Sequence, residues 1–110
     1  MNYISIVRAK LKGSPKEAQM LHDATVEKLS AMTRPMGAIH HQPHLNPQDP
    51  MQFLAIDTWN NIESLLKFIS APKVAEAYGA PFEGMPHVSV WAESDRGSFQ
   101  TGIKELGDFT

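Results

Sequence analysis

The 110-residue sequence contains no cysteine, which excludes disulfide frameworks, Cys-ligated zinc, iron–sulfur centres and thiolate catalysis together. A reducing compartment is compatible with that composition, and a cytoplasmic location is expected. Neither sign of charge dominates: ten Lys and Arg against twelve Asp and Glu leave a formal net charge of -2. No basic field gathers phosphate backbones, so nucleic acid is not an expected partner. No apolar run approaches the roughly 20 residues that cross a bilayer. The N-terminal "MNYISIVRAKLKG" interrupts its apolar residues with Ser5, Arg8 and Lys10 where a secretory signal needs a continuous apolar core. No membrane partner is expected. Glycine is sparse where phosphate binding needs it, because "GSPKEA" lacks the spacing of a nucleotide-binding loop.

What is present suits one globular domain. Hydrophobic residues make up 42% and charged residues 20% of the chain, which excludes disordered and fibrous classes and allows a core without staples. "YISIVRAKL", 3 to 11, reads as a strand ending at Gly13 and Ser14. Ser14 caps and Pro15 opens a helix expected from about 15 to 32, with Ala18, Leu21, Thr25, Leu29 and Met32 on one face. Pro35 and Gly37 close it. Residues 38 to 45 form a second strand, which Pro43 assigns to a sheet edge or a bulge.

"NPQDP" is a turn, and "MQFLAIDTW", 51 to 59, is the clearest strand in the chain. A short helix capped by Asn60 or Asn61 carries Ile62, Leu65, Leu66 and Ile69, and after "SAP" a further short helix ends at Gly79. "PHVSVWA", 86 to 92, is the last strand. The order β-α-β-β-α-β is that of an α+β, ferredoxin-like fold, with a four-stranded antiparallel sheet and helices over one face. The other face carries too many apolar side chains for water, so a homodimer joining two sheets into an α+β barrel is expected. The domain spans 1–93. Residues 94–110, with isolated Phe99, Ile103, Leu106 and Phe109, are either an arm on the partner subunit or a frayed end.

The stretch "FLAIDTWNNIESLLKFISAPKVAEAY" resembles the antibiotic biosynthesis monooxygenase family of dimeric α+β barrels, and the resemblance covers 3 to about 93. Asp57 and Trp59 match the family's acidic residue, spacer and tryptophan at a strand end. Ala71, Pro72 and Lys73 fall on its Ser/Thr-Pro-His-like segment, and Phe68 stands where the following helix often carries histidine. The family includes cofactor-independent quinol or polyketide monooxygenases, haem-degrading enzymes, isomerases and proteins without known activity. The haem-degrading branch uses that helix histidine on iron, and Phe68 has no lone pair to offer. The resemblance therefore implies a cofactor-independent monooxygenase of a quinol, phenolic or polyketide-like molecule, with an isomerase or a non-catalytic small-molecule binding protein as alternatives.

Several residues are candidates for the site. His40, His41 and His44 crowd one strand, but close sequence spacing does not itself create tetrahedral geometry, so no metal is expected. In a regular strand His40 and His44 share a phase and His41 points the other way. Asp57, in an apolar strand, must reach water or a partner to avoid a large desolvation cost. A structural ion pair satisfies that need, and so does an acid/base role with His40 or His87. Asp57, His40 and His87 are accordingly the proton-handling set. Trp59, Trp91, Phe53, Tyr3, Phe68 and His44 are the expected substrate contacts, suited to a small aromatic or apolar molecule. His22, beside the apolar stripe, and Arg34, before Pro35, are expected to face solvent.

Overall fold

Four strands and three helices alternate through the computed structural model, which describes residues 1–94, 96 and 97. They are β1 (Tyr3–Leu11), α1 (Pro15–Met36), β2 (Ala38–Asn46), β3 (Asp49–Trp59), α2 (Ile62–Ser70), α3 (Pro72–Tyr78) and β4 (Phe82–Ala92). All pairings are antiparallel, in the order β2-β3-β1-β4. This is the ferredoxin-like α+β fold. Most of the tail, positions 95 and 98–110, lies outside the described residues, and so does the choice between an arm on a partner and a frayed end. Among the described residues no helix is long and apolar enough to cross a membrane.

Local chemistry sets the ends of α1. The Ser14 hydroxyl accepts from the Glu17 N–H, and Pro15 needs no donor in the first turn. The helix runs to Met36, four residues beyond the sequence reading, with Pro35 accommodated inside its last turn, and the stop falls at Gly37. Gly37, at φ 115°, donates to the Thr33 and Arg34 carbonyls. A Cβ there would overlap the Asn60 side-chain oxygen.

The buried stripe of α1 is Ala18, His22, Thr25, Leu29 and Thr33, whereas Leu21 and Met32 are exposed. The helix is thus rolled by part of a turn from the orientation its apolar residues suggest. The expectation of a solvent-facing His22 is corrected: its ring packs between Phe53, 4.7 Å away, and Phe82, at 6.3 Å. Edge position explains Pro43 in β2 and Pro86 in β4, the two outer strands, while Pro50 stands at the start of the inner strand β3.

Alternation along β3 turns Phe53, Ala55, Asp57 and Trp59 toward the helices, with Ser5, Val7 and Tyr3 beside them on β1. Two apolar clusters form there. Val7, Leu11, Ala18, Phe53, Ala55 and Phe82 make one, and Leu29, Trp59, Leu65, Phe68 and Val74 make the other. Asp57 and Ser5, paired across the strands, fall at the seam between them. The opposite face carries Ile4, Ile6, Leu54 and Ile56, and no helix among the described residues covers it.

Gly37→Ala is expected to destabilise the fold by about 1–3 kcal/mol, combining a positive φ with the Asn60 overlap. Urea unfolding checks this, and an unchanged midpoint would contradict the cap assignment.

Candidate active site

A single extra residue decides which histidine meets Asp57. Ala38 pairs with Trp59 and His40 with Thr58, so Ile39 is the added residue of a bulge in β2. Uninterrupted pairing from Ala38 would place His40 opposite Asp57. The bulge places His41 there instead. The Nδ1 atom of His41 is hydrogen-bonded to the Asp57 carboxylate, in a part-buried pair. Because a carboxylate accepts, Nδ1 carries the proton in the neutral ring and Nε2 keeps the lone pair. Nε2 is buried and has no hydrogen-bond partner among the described residues.

A cavity of about 580 Å³ opens beside this pair, between α1 and the sheet. His41, Asp57 and Trp59 lie along its sheet side, Leu29 and Thr33 on its helix side, and Phe68 and Tyr78 close it from α2 and α3. Trp59 is 2% exposed and packs on Phe68 with ring centroids 5.4 Å apart. His22 stacks on His41 at 5.4 Å and holds the exposed Asp23 carboxylate at 3.3 Å through Nδ1. Arg34 and Glu27 border the same cavity.

Electrostatics give two of these groups a defined state. Burial lowers the pKa of His22 below its ordinary 6.5, a neighbouring His41 charge acts in the same direction, and the hydrogen bond to Asp23 opposes both. Burial raises the Tyr78 hydroxyl, and the negative charge of Asp57 raises it further. Tyr78 therefore stays protonated and presents a hydrogen-bond donor near the carboxylate. Among the described residues, His, Asp and Glu side chains nowhere gather in threes in a metal-binding arrangement.

The expected site residues separate into groups. Asp57, Trp59 and Phe68 line the cavity, and His40 borders it while sharing the sheet face of Thr58. His87 pairs with Arg8, and Trp91, 56% exposed, pairs with Ile4, so both lie on the uncovered face. Of the proton-handling set, neither His40 nor His87 shares the sheet face of Asp57, because strand alternation gives both the opposite phase. Phe53 and Tyr3 pack in the two apolar clusters. His44 is in register with Leu54 of the open face and borders a second, smaller cavity.

His22, His41 and Tyr78 are the site groups that the proton-handling and substrate sets omit. The polarity of Asp57 within an apolar strand pointed to a partner, but strand phase alone could not choose His41. Nothing in "KVAEAYGAPF" distinguishes Tyr78 from a core aromatic.

The strand order and the helix layer give a fold of the antibiotic-biosynthesis-monooxygenase type, as the solved structures it superposes on show. SnoaB, a cofactor-independent oxygenase from Streptomyces nogalater, superposes with a TM-score of 0.68 at 14% identity, over 86% of this chain and 94% of that one. An antibiotic biosynthesis monooxygenase superposes at 0.62 with 15% identity, over 86% and 99%. A conserved protein from Methanosarcina mazei Go1 gives 0.64 at 13%, over 86% and 94%. At such identities the likeness is one of fold. No family model and no curated protein matches the sequence.

The lowered pKa of His22 sets a sign for acid stability. Below about pH 6.5 the unfolded chain binds the His22 proton more readily than the folded chain, so this contribution is intact above 6.5 and is lost as pH falls through the folded-state value. Between about pH 7.5 and pH 5, the urea midpoint of the wild type is expected to fall more than that of His22→Phe. Parallel curves would contradict a buried neutral ring.

Proposed function

We propose that the protein is a cofactor-independent oxygenase of a phenolic or quinol-type small molecule, with His41 as its base and Asp57 as the group that positions it. The observation that carries this reading is the unpartnered Nε2 of His41, on an imidazole whose Nδ1 is held by a carboxylate at a cavity wall. A buried unsatisfied nitrogen costs about 1–3 kcal/mol, and a substrate hydroxyl donating to it offsets that cost. In this reading the hydroxyl approaches Nε2 from the adjoining cavity. The likeness to SnoaB supports oxygen chemistry on this fold.

The reaction balances with dioxygen as the sole co-substrate and oxidant. Nε2 takes the phenolic proton, and Asp57 stabilises the resulting imidazolium. The electron-rich ring carbon then bonds to dioxygen, and its hydroperoxide adduct loses the hydrogen on that carbon as a proton while the O–O bond breaks. One oxygen atom enters the product as a quinone carbonyl and the other leaves as water, so the ring gives up four electrons. Imidazolium supplies the proton to the departing oxygen and is restored as base. Trp59 and Phe68 stack on the ring and keep water from the adduct, and the protonated Tyr78 hydroxyl donates to a substrate oxygen.

The chain acts as a homodimer in this reading. Ile6 and Ile56, directly paired on the uncovered face, sit at the centre of an apolar surface that a second copy would bury. Light scattering is expected to give a dimer for the wild type and a monomer for the double variant Ile6→Lys, Ile56→Lys. A monomeric wild type would overturn this assembly.

With a panel of phenols and hydroquinones in an oxygen electrode, the wild type is expected to consume oxygen equimolar with substrate. His41→Ala should lower kcat by about 10²–10⁴ and Asp57→Asn should also lower kcat, with smaller changes in KM. Turnover without oxygen uptake would assign an isomerase, and ligand binding without turnover a binding protein. Equal rates for the wild type and His41→Ala would sink the assignment of the base.

A further inference from the structure

We infer that the cleft between α1 and β2 binds an elongated substrate, with its phenolic ring beside His41 and an apolar chain running past His22 toward Leu11 and Leu45. This deepens the proposed function and rests on it. A second cavity of about 220 Å³ lies at the far end of the cleft, bounded by Leu11, Gln19, Leu45 and Phe53. It shares His22, Asp23 and Pro43 with the main cavity. The His22 ring is therefore a partition between two compartments of one slot.

The geometry of the edge strand explains the slot. On its helix-facing side β2 presents His41, Pro43 and Leu45, in register with Asp57, Ala55 and Phe53. Little of α1 reaches them: Pro43 is exposed and Leu45 is 40% exposed, although both share the face that elsewhere holds the core. At a rise of about 1.5 Å per residue, Gln19 at one end and Arg34 at the other stand roughly 22 Å apart along α1. A lone phenol fills only the middle of such a slot. Leu11 and Phe53 give its lower end buried apolar walls, and neither Gln19 nor Leu45 carries a charge there. Asp23 and His44 also border the compartment, and an alkyl or prenyl substituent packs on its Leu11, Leu45 and Phe53 walls.

Calorimetric titration with hydroquinone and its n-alkyl derivatives tests this. For the wild type, affinity is expected to rise about fourfold per added methylene until the lower compartment is full. Gln19→Trp, which fills that compartment from an exposed helix position, should leave hydroquinone binding unchanged and flatten the chain-length dependence. Leu45→Trp, from the opposite wall, should act in the same way and carries the test should Gln19→Trp misfold. Hydroquinone binding with no chain-length effect, or an effect that survives both tryptophans, overturns the inference while the ring site stands. Failure of every member to bind overturns the proposed function as well.

Discussion

A carboxylate placed between two apolar clusters is the constraint around which this molecule is arranged. Asp57 occupies a sheet position whose neighbours on the same strand, Ala55 and Trp59, are both buried. An ionised carboxylate there loses much of its hydration, a cost that only a partner or residual water offsets. His41 supplies the partner. That pairing requires β2 to deliver a histidine to the helix side of the sheet, and the bulge at Ile39 does so. Beyond the bulge the two strands stay paired from His40 to Leu45.

Packing around the pair accounts for the cavity. Between β2 and α1, no large apolar side chain among the described residues fills the gap. The aromatic groups nearest it, Trp59, Phe68 and Tyr78, are anchored in the second cluster or packed against it. The site is thus held from one side by a rigid wall and bounded on the other by the histidine of α1 and the outer strand. His22 belongs to both sides, since its ring contacts the first cluster through Phe53 and Phe82 and stacks on His41.

Much of the fold was legible in the sequence because its signals are local. The Ser14–Pro15 start, the Gly37 stop, the β-branched run before Trp59 and the prolines at edge strands each act within a few residues. Two features were not legible. The roll of α1 depends on the pocket offered to His22 by Phe53 and Phe82, which are distant in sequence, and the apolar Leu21 and Met32 suggested another orientation. The phase of β2 depends on one added residue, so alternation that correctly separated the faces of β3 selected His40 where the structure presents His41. Asp57 itself was recognisable without any partner, because a charge in an apolar strand demands one. The side chain that answers it is a matter of tertiary register.

The protonation pattern of the His41 ring tests the central claim most directly. Long-range proton–nitrogen NMR correlations at neutral pH distinguish the two nitrogens of each imidazole. The account predicts a proton on Nδ1, facing Asp57, and a lone pair on Nε2, which shifts when a phenol binds. A proton on Nε2 of the free protein, or an Nε2 resonance indifferent to every phenol that binds, would contradict it.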